Sequence, residues 1–188
     1  MAPTRKDTTV DDVVARARRG DRRALEVLVD QHLDQLYTVA LRIVGSPADA
    51  EDVVQEAVVR IWQQLPTFRG DARFSTWAYR IVTNLALDQV RRPRYETAVA
   101  DAPDVPLEDL EPARLVEVST ELDRVGVALA QLTPPQRAAI VLAELVGLPQ
   151  EDIAEVLDTT VSGVKNRLYR ARTRLRQLLD EVDDPGLR

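Results

Sequence analysis

The chain has no cysteine among its 188 residues, which excludes disulfide bonds and thiolate metal sites. No apolar run reaches the length of a membrane span, and the first residues lack the apolar stretch of a signal peptide. Neither a glycine-rich phosphate loop nor a nucleophile with a neighbouring base is present. We therefore expect a cytoplasmic protein without membrane insertion, with no catalytic residues, no cofactor and no metal.

The residues that are present favour helices. Ala, Leu, Val, Glu and Arg dominate, only 4% of residues are aromatic, and no alternating strand pattern competes. Apolar residues at helical spacing predict a first long helix between an N-cap at Asp21 and a stop at Gly45. Ser46 and Pro47 restart a helix that is predicted to turn Trp62 inward together with its aliphatic residues. A third helix is predicted to begin near residue 75.

Residues 93–118 hold four prolines, many acids and no sustained period, which indicates a flexible linker between two lobes. The sequence predicts an all-α protein of two small helical domains, the C-terminal one a helix-turn-helix. The expected boundaries are an N-terminal tail or short helix at 1–20, domains at 21–93 and 119–182 joined by the acidic linker 94–118, and a tail at 183–188.

The net charge of −6 hides a strong segregation. Residues 95–123 contain nine acids and one base, so this segment alone carries −8 and the rest of the chain about +2. Residues 159–176 contain six bases and no acid. Positive charge gathered on one helix is the pattern of a protein that binds nucleic acid.

The basic segment follows a short amphipathic helix at 150–157 and a tight turn at 158–160. This spacing is that of a helix-turn-helix, whose second helix enters the major groove of DNA. Lys165, Asn166 and Arg170 are predicted to lie on one face with Tyr169 beside them. The opposite stripe of Val164, Leu168, Ala171 and Leu175 is predicted to pack inward. A solvated basic helix on a bundle is the alternative, but no acid is available there for salt bridges.

Five of the eight aromatic residues fall within residues 62–79, and arginines interleave with or follow them. Aromatic faces accept unstacked bases and arginines follow a phosphate backbone, so together they can form a platform for single-stranded nucleic acid. Aromatics at a helix start are also common core residues, and both interpretations stay open. The set comprises Trp62, Phe68, Phe74, Trp77 and Tyr79, with Arg69, Arg73, Arg80, Arg91, Arg92 and Arg94.

Asp49, Asp52 and Glu56 share one helix face and could in principle bind a divalent cation, as in helical nucleotide hydrolases. Such a site needs further carboxylates from a facing helix, and the third helix offers only Asp88. A charged docking face explains these acids better.

Several segments resemble conserved blocks of the extracytoplasmic-function (ECF, group IV) sigma factors of the sigma-70 family. Residues 49–57 (DAEDVVQEA), 68–71 (FRGD) and 74–81 (FSTWAYRI) are similar to their second conserved region. Residues 132–137 (LTPPQR), 147–154 (GLPQEDIA) and 164–172 (VKNRLYRAR) are similar to their fourth. The resemblance covers about 22–92 and 119–180.

The resemblance implies a protein that gives RNA polymerase its promoter specificity and opens the promoter. Docking on the β′ clamp helices of core polymerase is implied for Asp49, Glu51, Asp52, Gln55 and Glu56. Binding and melting of the −10 element are implied for Phe68, Arg69, Arg73, Phe74, Ser75, Trp77, Arg80, Asn84, Asp88, Arg91 and Arg92. Recognition of the −35 element is implied for Ser162, Lys165, Asn166, Arg167, Tyr169, Arg170 and Arg174.

The implied partners are core RNA polymerase (β′ clamp helices and β flap), promoter DNA and an anti-sigma factor that could hold the chain near the membrane. The chain departs from the common pattern at residues 160–163 and at Asn166, where serine is frequent, and at Pro149, which replaces a frequent serine N-cap. Two alternatives remain at this point: a helix-turn-helix regulator that binds duplex DNA unaided, and a metal-dependent nucleotide hydrolase.

Overall fold

The computed structural model describes residues 5–70, 72–92 and 121–183. The predicted linker at 94–118 lies outside these residues, as do Arg94 and residues 184–188 of the predicted tail. Throughout the described part the chain is helical, which confirms the all-α prediction. The helices are α1 (Arg5–Arg18), α2 (Arg22–Val44), α3 (Pro47–Gln64), α4 (Phe74–Arg91), α5 (Glu121–Ala130), α6 (Pro134–Ile140), α7 (Gln150–Val156) and α8 (Val161–Asp183).

The helix ends in the first half follow the capping residues of the sequence. The Asp21 carboxylate accepts the Ala24 backbone N–H at 3.1 Å, and Gly45 ends α2 in the left-handed conformation at φ 78°. Ser46 caps α3 in the same way, and Pro47 occupies its first turn, where the missing N–H costs no hydrogen bond. A short 3₁₀ turn (Leu65–Thr67) closes α3.

Helices α2, α3 and α4 pack against one another to form what we call the N-terminal lobe, with α1 lying across α2. Leu28, Leu36, Ile43, Ile61 and Val82 are fully buried between them. The prediction that Trp62 points inward is wrong. Its side chain is 52% exposed and lies under the guanidinium of Arg22, 5.1 Å from the ring centroid, because α3 ends here and no further helix covers this face.

Helices α5 to α8 form the C-terminal lobe, in which α6 and α7 both pack on α8. Its core contains Leu142, Ile153, Val156, Val164 and Leu168, all essentially inaccessible. The helix predicted from Thr133 to Gly147 is not uniform, since a π-helical turn (Val141–Leu145) follows α6. The wider turn is closed by the Val146 N–H on the Val141 carbonyl, at 3.2 Å.

The two lobes touch, and their buried residues form one continuous apolar cluster. Helix α4 contacts α6 and α7, while the end of α2 meets α5 and α6. At this junction Arg137 of α6 donates to the Ile43 carbonyl of α2 at 2.6 Å. None of the helices in the described part of the chain is long and apolar enough to cross a membrane.

Candidate nucleic-acid and protein-binding surfaces

Helix α8 buries one face, as its apolar spacing predicted. Val164, Leu168 and Ala171 are no more than 2% exposed, and Leu175 is half-buried on the same stripe. This face is held against α6 and α7. The opposite face of a 23-residue helix is therefore left to solvent over several turns.

The exposed face of α8 has a neutral centre and two basic edges. At 100° per residue, Ser162, Asn166, Thr173 and Gln177 fall opposite the buried stripe. One edge carries Lys165, Arg172 and Arg176, and the other carries Arg167, Arg170 and Arg174. Tyr169, which is 72% exposed, stands between the centre and the first edge. A major groove presents base edges in its floor and phosphates on both rims, so this arrangement matches its chemistry.

The turn before α8 fixes the start of the helix. The Thr160 hydroxyl accepts the Gly163 N–H at 3.1 Å, so Thr160 provides the N-cap. Asp158 adopts a left-handed conformation at φ 46°, a geometry that aspartate tolerates better than most residues. A Cβ at Gly163 would lie 2.7 Å from the Thr159 hydroxyl. The departure from the common pattern at 160–163 thus still yields a capped and tightly packed turn.

Two positions on the first basic edge were missed by the sequence reasoning. A groove of about 240 Å³ between α7 and α8 is lined by residues that include Gln150, Lys165, Tyr169, Arg172 and Arg176. Arg172 is held by Glu144 at 2.6 Å, which orients its guanidinium. The spacing i, i+7, i+11 from Lys165 could have identified Arg172 and Arg176, whereas Gln150 depends on the packing of α7.

Three of the aromatics near the start of α4 form one cluster. Phe68 lies 5.0 Å from Trp77 and 6.4 Å from Phe74 between ring centroids, and Phe74 lies 5.7 Å from Trp77. His32 of α2 meets the Phe74 ring edge-on at 5.1 Å while its Nδ1 lies 2.8 Å from the Leu28 carbonyl oxygen. Phe68 and Phe74 are buried, and Trp77 is half-buried. The phenylalanines therefore support the loop from below, and Trp77 is the ring of the three with accessible surface.

The polar side chains predicted for this region surround the cluster. Arg69 and Arg73 are exposed in and after the loop, and Ser75 is half-buried in the first turn of α4. Along α4 the exposed residues share one strip at i, i+4, i+8 and i+11, formed by Arg80, Asn84, Asp88 and Arg91. Arg92 is exposed directly after the helix. Asp88 and Arg91 are 3.7 Å apart, an exposed pair of little energetic weight.

The acids of α3 occupy its outer face. Glu51, Asp52, Gln55 and Glu56 are exposed, while the half-buried Asp49 accepts from the Gln89 amide of α4 at 3.1 Å. Glu56 pairs with Arg60 at 2.6 Å one turn on. Across residues 5–70, 72–92 and 121–183, no three His, Asp or Glu side chains cluster as metal ligands.

A groove of about 580 Å³ runs between α2 and α3 beside these acids. Leu33, Tyr37 and Val54 supply apolar surface in it, and Glu51 and Gln55 stand on its α3 side. An apolar groove with acidic walls suits a basic amphipathic helix of a partner protein.

The chain matches two sequence families in succession, Sigma-70 region 2 over residues 28–95 and Sigma-70 region 4 over residues 122–175. It is 34% identical to the RNA polymerase sigma-H factor of Pseudomonas aeruginosa, with 94% of each chain covered. It is 37% identical to the ECF RNA polymerase sigma factor SigE of Mycolicibacterium smegmatis over 85% of this chain, which spans 64% of that relative's length.

Among solved structures, the fold matches the sigma factor RpoE in complex with the anti-sigma factor NepR from Bartonella quintana. The TM-score is 0.66 at 26% identity, covering 82% of this chain and 96% of the other. Families of both regions in order, relatives along nearly the whole chain and this fold agree with the quoted motifs. The chain belongs to the sigma-70 family of transcription initiation factors, as a sigma factor of the ECF type.

Proposed function

We propose that this chain binds core RNA polymerase through α3, reads the −35 element with α8, and captures the −10 element with the 68–75 loop and α4. The observation that carries the proposal is the separation of charge among helices. Exposed acids gather on α3, exposed bases gather on α8 and around the start of α4, and the two kinds of surface do not mix. Acids suit a basic protein partner, and bases suit phosphate.

The docking surface is the groove between α2 and α3 together with Glu51, Asp52, Gln55 and Glu56. A coiled pair such as the β′ clamp helices offers an exposed helical face of the shape that such a groove accepts. Asp49 contributes by tying α3 to α4 through Gln89, which keeps the acidic face in register with the DNA-binding helix. The β flap is the expected contact of the C-terminal lobe.

For the −35 element, the neutral centre of α8 faces the base edges. Asn166 has the donor and acceptor pair that can bond adenine bidentately, and Ser162 stands one turn earlier, near the helix start. Lys165 on one edge and Arg167, Arg170 and Arg174 on the other lie where phosphates of the two strands pass. Tyr169 can contact a thymine methyl or a sugar from its position beside the centre.

For the −10 element, a base leaves the duplex and enters the surface above the aromatic cluster. Unstacking costs a few kcal/mol, which stacking on a ring such as Trp77 and polar contacts offset. Asn84 and Ser75 provide hydrogen bonds on that side of α4. Phe68 and Phe74 give the loop a fixed base, and Arg69, Arg73, Arg80, Arg91 and Arg92 hold the backbone, with Asp88 as their acidic neighbour.

An anti-sigma factor completes the proposed partners. RpoE of Bartonella quintana is solved in a complex with such a factor, and the fold of this chain matches it. We place the protein in the cytoplasm, where polymerase acts, held near the membrane if its anti-sigma factor is anchored there. The proposed domain limits remain 21–93 and 119–182, joined by the acidic linker 94–118, which passes along polymerase.

Run-off transcription over a promoter library, with core polymerase alone and with this chain, tests the proposal. Transcripts should appear only with the chain present and should share two short sequence elements. Binding of the chain to duplex promoter DNA with the same affinity whether or not polymerase is present would instead favour a stand-alone regulator.

A further inference from the structure

One polar contact joins the two proposed DNA-binding regions. The Thr76 hydroxyl of α4 lies 3.4 Å from the Asp152 carboxylate of α7, in position to donate to it. Thr76 belongs to the first turn of α4, between Ser75 and Trp77, and is only 3% exposed. Asp152 belongs to the first turn of α7, the helix that supports α8. The C-terminal lobe therefore covers the end of α4 at which the −10 strand is proposed to bind.

The covered face of α4 continues beyond Thr76. Thr83 and Leu87 follow at i+7 and i+11 and are buried, next to the exposed strip of Arg80 and Asn84. The Thr83 hydroxyl has no hydrogen-bond partner in the described part of the chain. Permanent cores satisfy nearly all buried polar groups, so a face with an unpartnered hydroxyl and one long hydrogen bond is a poorly matched interface.

Arg137 makes the second polar contact between the lobes. Its guanidinium donates to the Ala130 and Leu132 carbonyls of its own lobe at 2.7 and 3.2 Å, and to Ile43 of the other lobe at 2.6 Å. Separation of the lobes would break only the bond to Ile43, and water could replace it on both sides. The contact is specific in geometry but costs little to open.

We propose that the arrangement of the two lobes is a closed, self-inhibited form of the chain. In it the Asp152 carboxylate occupies the place beside the first turn of α4 that a backbone phosphate of the −10 strand takes in the open form. The inference rests on the proposed function, because it assumes that the −10 strand binds at the start of α4.

The charges make the exchange reasonable. The first turn of α4 presents unpaired N–H groups and the positive end of the helix dipole, and the exposed Arg73 precedes it, so this position favours an anion of either kind. An aspartate from the other lobe and a phosphate from DNA cannot occupy it together. Separation of the lobes on polymerase would then expose both DNA-binding surfaces at once.

Lobe separation and DNA binding can be measured on the same full-length chains. Because the chain has no cysteine, Asp30→Cys and Glu155→Cys, both exposed and one in each lobe, place two spin labels for electron-electron distance measurement. Fluorescence anisotropy reports binding of a labelled single-stranded oligonucleotide that carries the −10 element of a promoter active in run-off transcription. Both readouts are taken for the parent, for Asp152→Arg and for Glu151→Arg.

Glu151→Arg is the matched control, since it makes the same charge change one residue away on the exposed side of α7. We expect a single narrow distance for the parent and the control, and a broad, longer distribution for Asp152→Arg. The affinity of Asp152→Arg for the oligonucleotide should exceed that of the control about fivefold or more. Asp152→Asn, the milder change, should move both readouts in the same direction if the arginine variant folds poorly.

The two ways of failing are distinct. A parent that binds the oligonucleotide, with Asp152→Arg opened but no tighter than the control, would overturn self-inhibition and leave the proposed function intact. A broad distance distribution in the parent would overturn the closed form itself. If no variant bound the oligonucleotide, even when opened, the proposed −10 site would fail, and the inference with it.

Discussion

At the residue scale, Tyr79 ties α4 to α2 inside the N-terminal lobe. Its hydroxyl donates to the Gln35 amide oxygen at 2.5 Å, and burial raises the pKa of this phenol. The unfolded chain therefore loses the phenolic proton first as the pH rises. The contribution to stability is complete below about pH 10 and is lost as the pH rises beyond it.

Replacing Tyr79 by phenylalanine should lower the free energy of unfolding by about 1 kcal/mol at neutral pH, the net worth of one hydrogen bond. It should also flatten the loss of stability above about pH 10. Urea denaturation followed by circular dichroism at neutral and alkaline pH measures both effects. Tyr37→Phe serves as the control on a half-buried tyrosine, and an equally steep alkaline loss in both variants would contradict the assignment.

Asn166 stands at the centre of the exposed face of α8 and is the residue expected to read a base. Asn166→Ala should cost about 1–3 kcal/mol on the cognate promoter and little on promoters altered at the contacted base pair. Arg174→Ala, on the basic edge, should weaken all promoters alike and lower the salt dependence of binding. Holoenzyme binding to a set of promoter variants measures both, and a uniform loss for Asn166→Ala would show that it contacts only the backbone.

Burial at single residues was predictable where a full helical period supported it. Val164, Leu168 and Ala171 are buried as expected because their stripe continues over several turns. Trp62 is not, because it lies in the last turn of α3, where apolar character alone does not show whether another element covers the ring. Its contact with Arg22 depends on how α2 starts, which is a tertiary property.

At the scale of elements, α3 is expected to carry the affinity for polymerase. Replacing Asp52 and Glu56 together by lysine should reduce core binding by at least tenfold, because two acids that meet a basic partner become bases. The helix should stay folded, since both side chains are exposed and lie outside its buried stripe. Binding is measured by fluorescence with labelled core polymerase.

The matched control is Glu151→Lys with Glu155→Lys, the same change at the same spacing on the exposed face of α7. It should leave core binding largely unchanged. Equal losses in the two double variants would show that net charge, not the α3 face, governs association.

Most element boundaries were predictable because the chain marks them with capping residues. Asp21, Gly45 and Ser46 each act locally, through a bond to a backbone group within a few residues or a left-handed conformation. The π-helical turn after α6 was not predictable. It shifts the register of one turn so that α6 and α8 both pack, and no local residue signals that requirement.

At the scale of the whole molecule, the contact between the lobes was beyond the reach of periodicity. Arg137 reads in sequence as an ordinary helix-surface base, yet it is only 8% exposed and bonds three carbonyls. Burial lowers the pKa of this guanidinium, and the ends of α2 and α5 offset the cost of its charge. Such a group becomes visible only when both lobes are in place.

Arg137→Met should lower the free energy of unfolding by about 2–3 kcal/mol, because buried carbonyls lose a charged donor. Thermal unfolding followed by calorimetry measures the change. Arg124→Met, at an exposed position on α5, is the control and should change stability little. A similar small effect of both substitutions would show that water replaces the guanidinium without cost.

The central claim is that one chain holds an acidic surface for polymerase and basic surfaces for promoter DNA on separate helices. Its most direct test is the association of the purified, fluorescently labelled chain with bacterial core polymerase at low salt, with no inhibitory protein present. The account predicts saturable, one-to-one binding that weakens as salt rises. Absence of binding under these conditions would contradict it.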